Sequence, residues 1–343
     1  MGETASTEGH QIFTTELTRL ARRVDDPQIA ALADEVGAPL RVAVRGRDGV
    51  GRGTVAAALA GAGVSLDNGD DDDADVDVVV VAEALKPEDR AMIGLDLPCS
   101  SRPRRPTLVV LNKADLAGFG AGGPLAIADR RAAEIRALTG APTVSMVALL
   151  ACAVPDDELV DALRALTAEP ADLTSTDGFL SAEHGLSRGA RARLLNTLDL
   201  FGIAHGVLAL QQGTDPADLP AVWRRLSRVE QVMDGLAAVG AEVRYRRVRA
   251  ALTRLRAMAA QGTPEVAEFV ARDDAVVAVM AAAVDVVAAA GMSVDAGDAP
   301  SVHLGRAVHW QRYSRGPVNS LHRQCGADIC RGSLRLMRRA EHW

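Results

Sequence analysis

Lysine is almost missing from this chain: of 38 basic residues only Lys86 and Lys113 are lysine, and the rest are arginine. Aromatic side chains are nearly as scarce, at 3% of 343 residues, so any core must be built from Ala, Val and Leu. Four scattered cysteines, Cys99, Cys152, Cys325 and Cys330, are too few for a disulfide framework. His322, Cys325 and Cys330 lie close in sequence but lack a fourth ligand at zinc spacing, and no metal site is read there. No apolar run reaches the length of about 20 residues that a bilayer requires. The best candidate, 275–291, is rich in Ala and Val and interrupted by Asp285, which is the pattern of a buried core helix. Without a basic, apolar leader the expectation is a cytoplasmic protein.

What is present is ordinary in amount and uneven in distribution. Apolar residues make up 48% and charged residues 24%, as in globular proteins, and the length suits two domains. The net charge of −7 argues against wholesale binding to nucleic acid. Acid is concentrated at Asp67, Asp70 to Asp73, Asp75 and Asp77, a run expected to be a solvated connection, while arginine crowds the C-terminal half. Arg331, Arg335, Arg338 and Arg339 recur at helical spacing, with Arg323 before them. A solvated helix face is the expected outcome, and peripheral contact with acidic lipid or a protein partner is the alternative.

Periodicity divides the chain into three segments. Residues 1–38 give two short amphipathic helices, 12–23 and 27–36, split at Asp25-Asp26-Pro27. Residues 39–170 alternate: strand 40–44, helix 54–62, strand 76–82, a helix from Lys86, strand 107–111, helix 127–138, strand 143–147 and helix 156–166. That rhythm means a doubly wound, mostly parallel α/β sheet, whose ligands bind at the carboxyl ends of the strands. Residues 171–343 read as an all-α region: helices 188–200, 219–226, 229–239 and 244–260, one or two over 265–290, and a pair over 302–339 split at Gly316-Pro317. Residues 204–210 fit a lone strand or a buried helical turn.

Two motifs carry chemistry. The turn Gly46-Arg47-Asp48-Gly49-Val50-Gly51-Arg52-Gly53-Thr54 lies between a strand and a helix, where glycines let successive N–H groups curl inward round a phosphate. Gly46 and Gly51 fit G-x-x-x-x-G-K-[ST], but Arg52 stands in place of lysine and Gly53 in place of the Mg²⁺-binding hydroxyl. Thr54 is one residue late, about 100° round the helix. As a structural turn alone the stretch would be unremarkable. The second motif is Asn112-Lys113-Ala114-Asp115 directly after a buried strand, where one of the two lysines occurs. The Asp115 carboxylate, acceptor only, suits the hydrogens of guanine N1 and N2, Asn112 can face O6 and N7, and the Lys113 stem can lie along the base.

Here the chain resembles the P-loop GTPase superfamily, over about 42–166. The resemblance implies guanine nucleotide (GTP or GDP) as ligand and Ser145-Met146, at the end of the next strand, as the pair that closes over the base through backbone N–H groups. Neither D-x-x-G nor a switch threonine fits between Thr54 and Val76, so the domain is shortened and its Mg²⁺ and hydrolysis machinery degraded. The expected function is a nucleotide-linked interaction module with a protein partner, such as a related GTPase. An active GTPase completed by a partner, or a scaffold without nucleotide, are the alternatives. Apolar spacing over Leu194 to Leu255 also resembles the helical region of bacterial dynamin-like proteins, although a generic helical bundle is the preferred reading.

Overall fold

The computed structural model describes residues 8–67, 74–95, 105–118 and 120–341. The aspartate run 70–73 and Cys99 fall outside the described residues. Two helices, α1 (Glu8–Val24) and α2 (Pro27–Gly37), lead into β1 (Arg41–Gly46). Asp26 starts α2 because its carboxylate accepts from the Gln28 N–H while Pro27 fills the first helical position. Next come α3 (Arg52–Gly61), β2 (Ser65–Leu66), β3 (Val76–Ala82), α4 (Pro87–Ile93) and β4 (Thr107–Asn112). A short 3-10 turn, Ala114–Leu116, leads to α5 (Gly123–Thr139), β5 (Thr143–Ser145), α6 (Ala148–Ala151) and α7 (Asp157–Ala168). The remainder is helical: α8 (Thr176–Ser181), α9 (Arg188–Gln211), α10 (Leu219–Ser227), α11 (Val229–Ala260), α12 (Pro264–Ala271), α13 (Asp273–Ala289), α14 (Pro300–Ser314) and α15 (Ser320–Glu341).

The five strands form one all-parallel sheet in the order β2-β1-β3-β4-β5. Val78 to Val81 and Leu108 to Val110 are fully buried, as expected of central parallel strands covered on both faces. Gly46 pairs with Val80, Ala82 with Asn112 and Leu111 with Ser145, so the carboxyl ends of β1, β3, β4 and β5 share one sheet edge.

Compactness divides the chain into two units that cut across the three sequence segments: residues 41–236, and residues 1–40 together with 237–343. The first unit holds the sheet and a core of Val79, Val109, Leu111, Leu163, Phe179, Leu198 and Trp223, so α8, α9 and α10 belong with the sheet. The second is helical, and α1 and α2 pack there with α13 round Phe13, Leu17, Tyr245, Phe269 and Val287. The sequence marks most of these segments as helical but cannot show which pack together, because an apolar stripe carries no address.

Two elements differ from their sequence reading. The helix expected at 188–200 and the uncertain segment 204–210 are one element, α9, broken at Asp199. The two helices expected over 229–260 are one helix of 32 residues, since Gly240 does not interrupt it. The apolar segment 275–291 is a buried helix, with Ala278, Val279, Ala283 and Val287 in the core, as its alanine content suggests. Among the described residues α9 alone is long and apolar enough to cross a membrane, and its Leu194, Leu198 and Ile203 are buried in the sheet unit. The arginine stripe of α15 is committed within the helical unit. Arg335 and Arg338 donate to the Asp273 carboxylate at 2.9 Å, and Arg339 donates to Asp274 at 2.6 Å.

Candidate functional site

The turn after β1 needs its glycines for two distinct reasons. Gly49 and Gly51 adopt φ of 82° and 84°, which L side chains disfavour. Gly46 and Gly51 are also places of close approach: a Cβ on Gly46 would lie 2.8 Å from the Val80 carbonyl, and one on Gly51 would lie 2.4 Å from Asn112 Nδ2. Added carbon at Gly49 or Gly53 would meet nothing within 4 Å, so the turn is open on that side. Helix α3 then begins at Arg52 with Gly51 as its cap, which has no side chain to satisfy the first N–H groups. Those groups and the exposed Arg52 lie together at the carboxyl end of β1, where backbone N–H donors and a guanidinium favour an anion. Arg47, inside the turn, points elsewhere: its Nε donates to both oxygens of the fully buried Asp89, at 2.8 and 3.1 Å. Asp89 also accepts from the Lys86 N–H, which opens α4.

Asn112 joins this turn to the rest of the edge. Its side chain is 4% exposed, its Nδ2 donates to the Val50 carbonyl at 3.0 Å, and its Oδ1 accepts from the Ala148 N–H at 3.0 Å. The amide expected at guanine O6 and N7 is therefore a strut between the loops after β1, β4 and β5. Lys113 follows in a left-handed conformation (φ 58°) and is exposed. Asp115 is half-buried in the 3-10 turn. Burial raises its pKa above the ordinary carboxylate value, a hydrogen bond to its own backbone opposes this, the Asp199 charge raises it further and Lys113 lowers it.

Ser145 and Met146 are placed differently from the expectation. Ser145, 2% exposed, donates its hydroxyl to Asp129 at 2.8 Å and accepts from Arg228 at 2.6 Å. Met146 is fully buried, its N–H donates to the Leu111 carbonyl and its carbonyl accepts from the Ala114 N–H. The next two N–H groups are also taken, Val147 by the Ser227 carbonyl and Ala148 by Asn112. Base contact through the N–H of Met146 is thus excluded by the pairing of β5 with β4. Thr54 is half-buried at the first turn of α3, and its carbonyl accepts from the Cys152 thiol at 3.6 Å.

The strand order brings Gly46, Gly49, Gly51, Arg52, Gly53, Thr54, Asn112, Lys113 and Asp115 to one sheet edge, where the Asp199 charge also acts on Asp115. Nothing in the apolar pattern Leu198-Asp199-Leu200 signals that residue. No group of three or more His, Cys, Asp or Glu suited to a metal ion occurs among the described residues, the His322 and Cys325 region included. There His322 Nδ1 meets the Tyr313 hydroxyl at 2.6 Å instead. Compared with protein-family models, curated proteins and solved structures, the chain matches none.

Proposed function

We propose that the sheet unit is a divergent P-loop domain that binds guanine nucleotide at this edge, with Asp115 selecting the base and the Gly49–Thr54 turn receiving the phosphates. One observation carries the reading: the Asn112 side chain spans from the Val50 carbonyl to the Ala148 N–H, fixing the base-selecting turn and the glycine turn against each other. A bound phosphate would meet the uncapped N–H groups of α3 and the Arg52 guanidinium. The base would meet the Asp115 carboxylate, with the Lys113 stem and the 60% exposed Leu116 available as apolar surface.

The donor set does not fit a tightly held Mg²⁺. Gly53 brings no oxygen to the place where a hydroxyl ligand is expected, and Thr54 is a third of a turn away. The protein therefore acts as a nucleotide-linked interaction module rather than an efficient hydrolase. Neutralisation falls to Arg52 and the helix terminus.

Titration of the full chain with a fluorescent guanine nucleotide, with and without Mg²⁺, tests this. Binding with little Mg²⁺ dependence is expected, and Asp115→Asn should shift preference from GDP to XDP by about tenfold or more, since an amide complements the xanthine edge. GDP affinity untouched by that change sinks the base assignment, and absence of binding leaves a scaffold. Rapid phosphate release on adding a partner GTPase would favour an enzyme completed in trans. Asp115 must be ionised to accept, and its pKa is raised. Affinity should therefore be full above that raised value and fall as pH drops through it, and the Asp115→Asn variant should lose this dependence.

A further inference from the structure

The Asp89 carboxylate is fully buried on the first turn of α4, where one oxygen accepts from the Lys86 N–H at 2.9 Å. Both oxygens also accept from Arg47 Nε, at 2.8 and 3.1 Å, and Arg47 is the second residue of the glycine turn. Helix α4 follows β3, and β3 pairs with β1 as far as Gly46, so the contact joins two neighbouring strand ends. The turn is thus held at two points: Arg47 by Asp89, and the Val50 carbonyl by the Asn112 amide at 3.0 Å. Between these points lie only Asp48 and Gly49. Both are exposed, and a Cβ on Gly49 would meet nothing within 4 Å.

Starting α4 accounts for only one of these bonds. A helix start needs an acceptor at that position, which a neutral amide supplies as well as a carboxylate. Burying an ion pair adds little to stability, because desolvation offsets the attraction. A directional contact between a guanidinium and a carboxylate does fix one geometry, and the turn needs that. Gly49, Gly51 and Gly53 leave the backbone wide freedom, which a phosphate cradle must lose before its N–H groups converge. Building on the nucleotide reading above, we propose that Asp89 is a positioning residue for the phosphate turn, acting through Arg47. The pair sets the entry to the turn while Asn112 sets its exit, so the open stretch meets an anion already ordered. The same bond commits the Arg47 charge to a protein carboxylate, which leaves phosphate neutralisation to Arg52 and the start of α3.

Calorimetric titration of the full chain with GDP and with guanosine, which offers the same base and no phosphate, tests the assignment. Asp89→Asn keeps an acceptor for the Lys86 N–H but loses the charge. Arg47→Gln keeps a donor for Asp89, so that no buried carboxylate is left bare. Each should weaken GDP about tenfold and leave guanosine unchanged, so the preference for the phosphorylated ligand narrows. The double variant should lose no more than either single change, because the two residues act as one unit. A residue that only supports the fold would lower the melting temperature without moving the ratio of GDP to guanosine affinity. An unchanged ratio in either variant, or losses that add in the double variant, overturns the positioning role while leaving the base site standing. Wild type that binds neither ligand overturns both readings.

Discussion

In the helical unit, Asp328 is 2% exposed and ringed by donors: the Tyr245 hydroxyl at 2.8 Å, Arg249 at 3.0 Å and Arg331 at 2.9 Å. Burial, and then the Asp328 charge, push the Tyr245 phenol far above its ordinary range, so it remains a donor at any working pH. In the sheet unit, Asp115 is half-buried, burial and then the Asp199 charge raise its pKa, and Asp199 itself sits on strained backbone. One unit surrounds its buried Asp328 with donors, and the other leaves Asp115 with its charge disfavoured by burial. A half-buried carboxyl with a raised pKa is the kind of group that a bound ligand can satisfy, and it is a feature on which the proposed nucleotide site rests.

The comparison breaks most directly at Asp328. Asp328→Ala strands a buried phenol and an arginine, and removal of one partner from such a network costs about 3–5 kcal/mol. Hydrogen exchange resolved by segment should show α11 and α15 opening earlier, with β3 and β4 unaffected. A loss below about 1 kcal/mol would mean that Asp328 is no better satisfied than Asp115, and the contrast would fail.

Asp199→Gly should act with the opposite sign. Glycine adopts the observed backbone without strain, and a charge that opposes ionisation of Asp115 is removed, so the sheet unit should gain about 1–2 kcal/mol. The same β4 and β3 amides report it. A variant that is less stable than wild type would show that the conformation is not strained or that Asp199 serves the fold. Asp115 gives a matching pH signature. Its raised folded pKa means that the neutral form is favoured by folding, so it penalises stability at neutral pH and the penalty lifts as pH falls through that pKa.

How much of this was legible beforehand follows from the kind of signal each feature leaves. The strands at 76–82 and 107–112 are continuous Val/Leu runs bounded by loops, and buried parallel strands write themselves that way. The glycine turn and Asn112 to Asp115 are local motifs, and the strand order brings them together. What local sequence does not encode is partnership. Met146 reads as one half of a base-closing pair until the register of β5 on β4 consumes its N–H. Asn112 reads as a base contact until Val50 and Ala148 occupy its amide. Asp199 leaves no trace, because its effect comes from a backbone break and a neighbour more than eighty positions away.

The arginine stripe of α15 sharpens the comparison at its weak end, where charges are paired but wet. Arg335, Arg338 and Arg339 all reach Asp273, whose side chain is 17% exposed, while Arg338 itself is 54% exposed. Burial works against the charge on Asp273, yet the Arg338 hydrogen bond and the three guanidinium charges hold its pKa below the ordinary value. One carboxylate with three cations has redundant partners, and an exposed pair contributes only about 0–1 kcal/mol. Arg338→Ala should therefore change the stability of the helical unit by less than about 0.5 kcal/mol, with hydrogen exchange in α13 and α15 indistinguishable from wild type. A loss comparable to that at Asp328 would mean that redundancy does not protect Asp273, and that satisfaction of charge in this unit depends on each arginine rather than on their number.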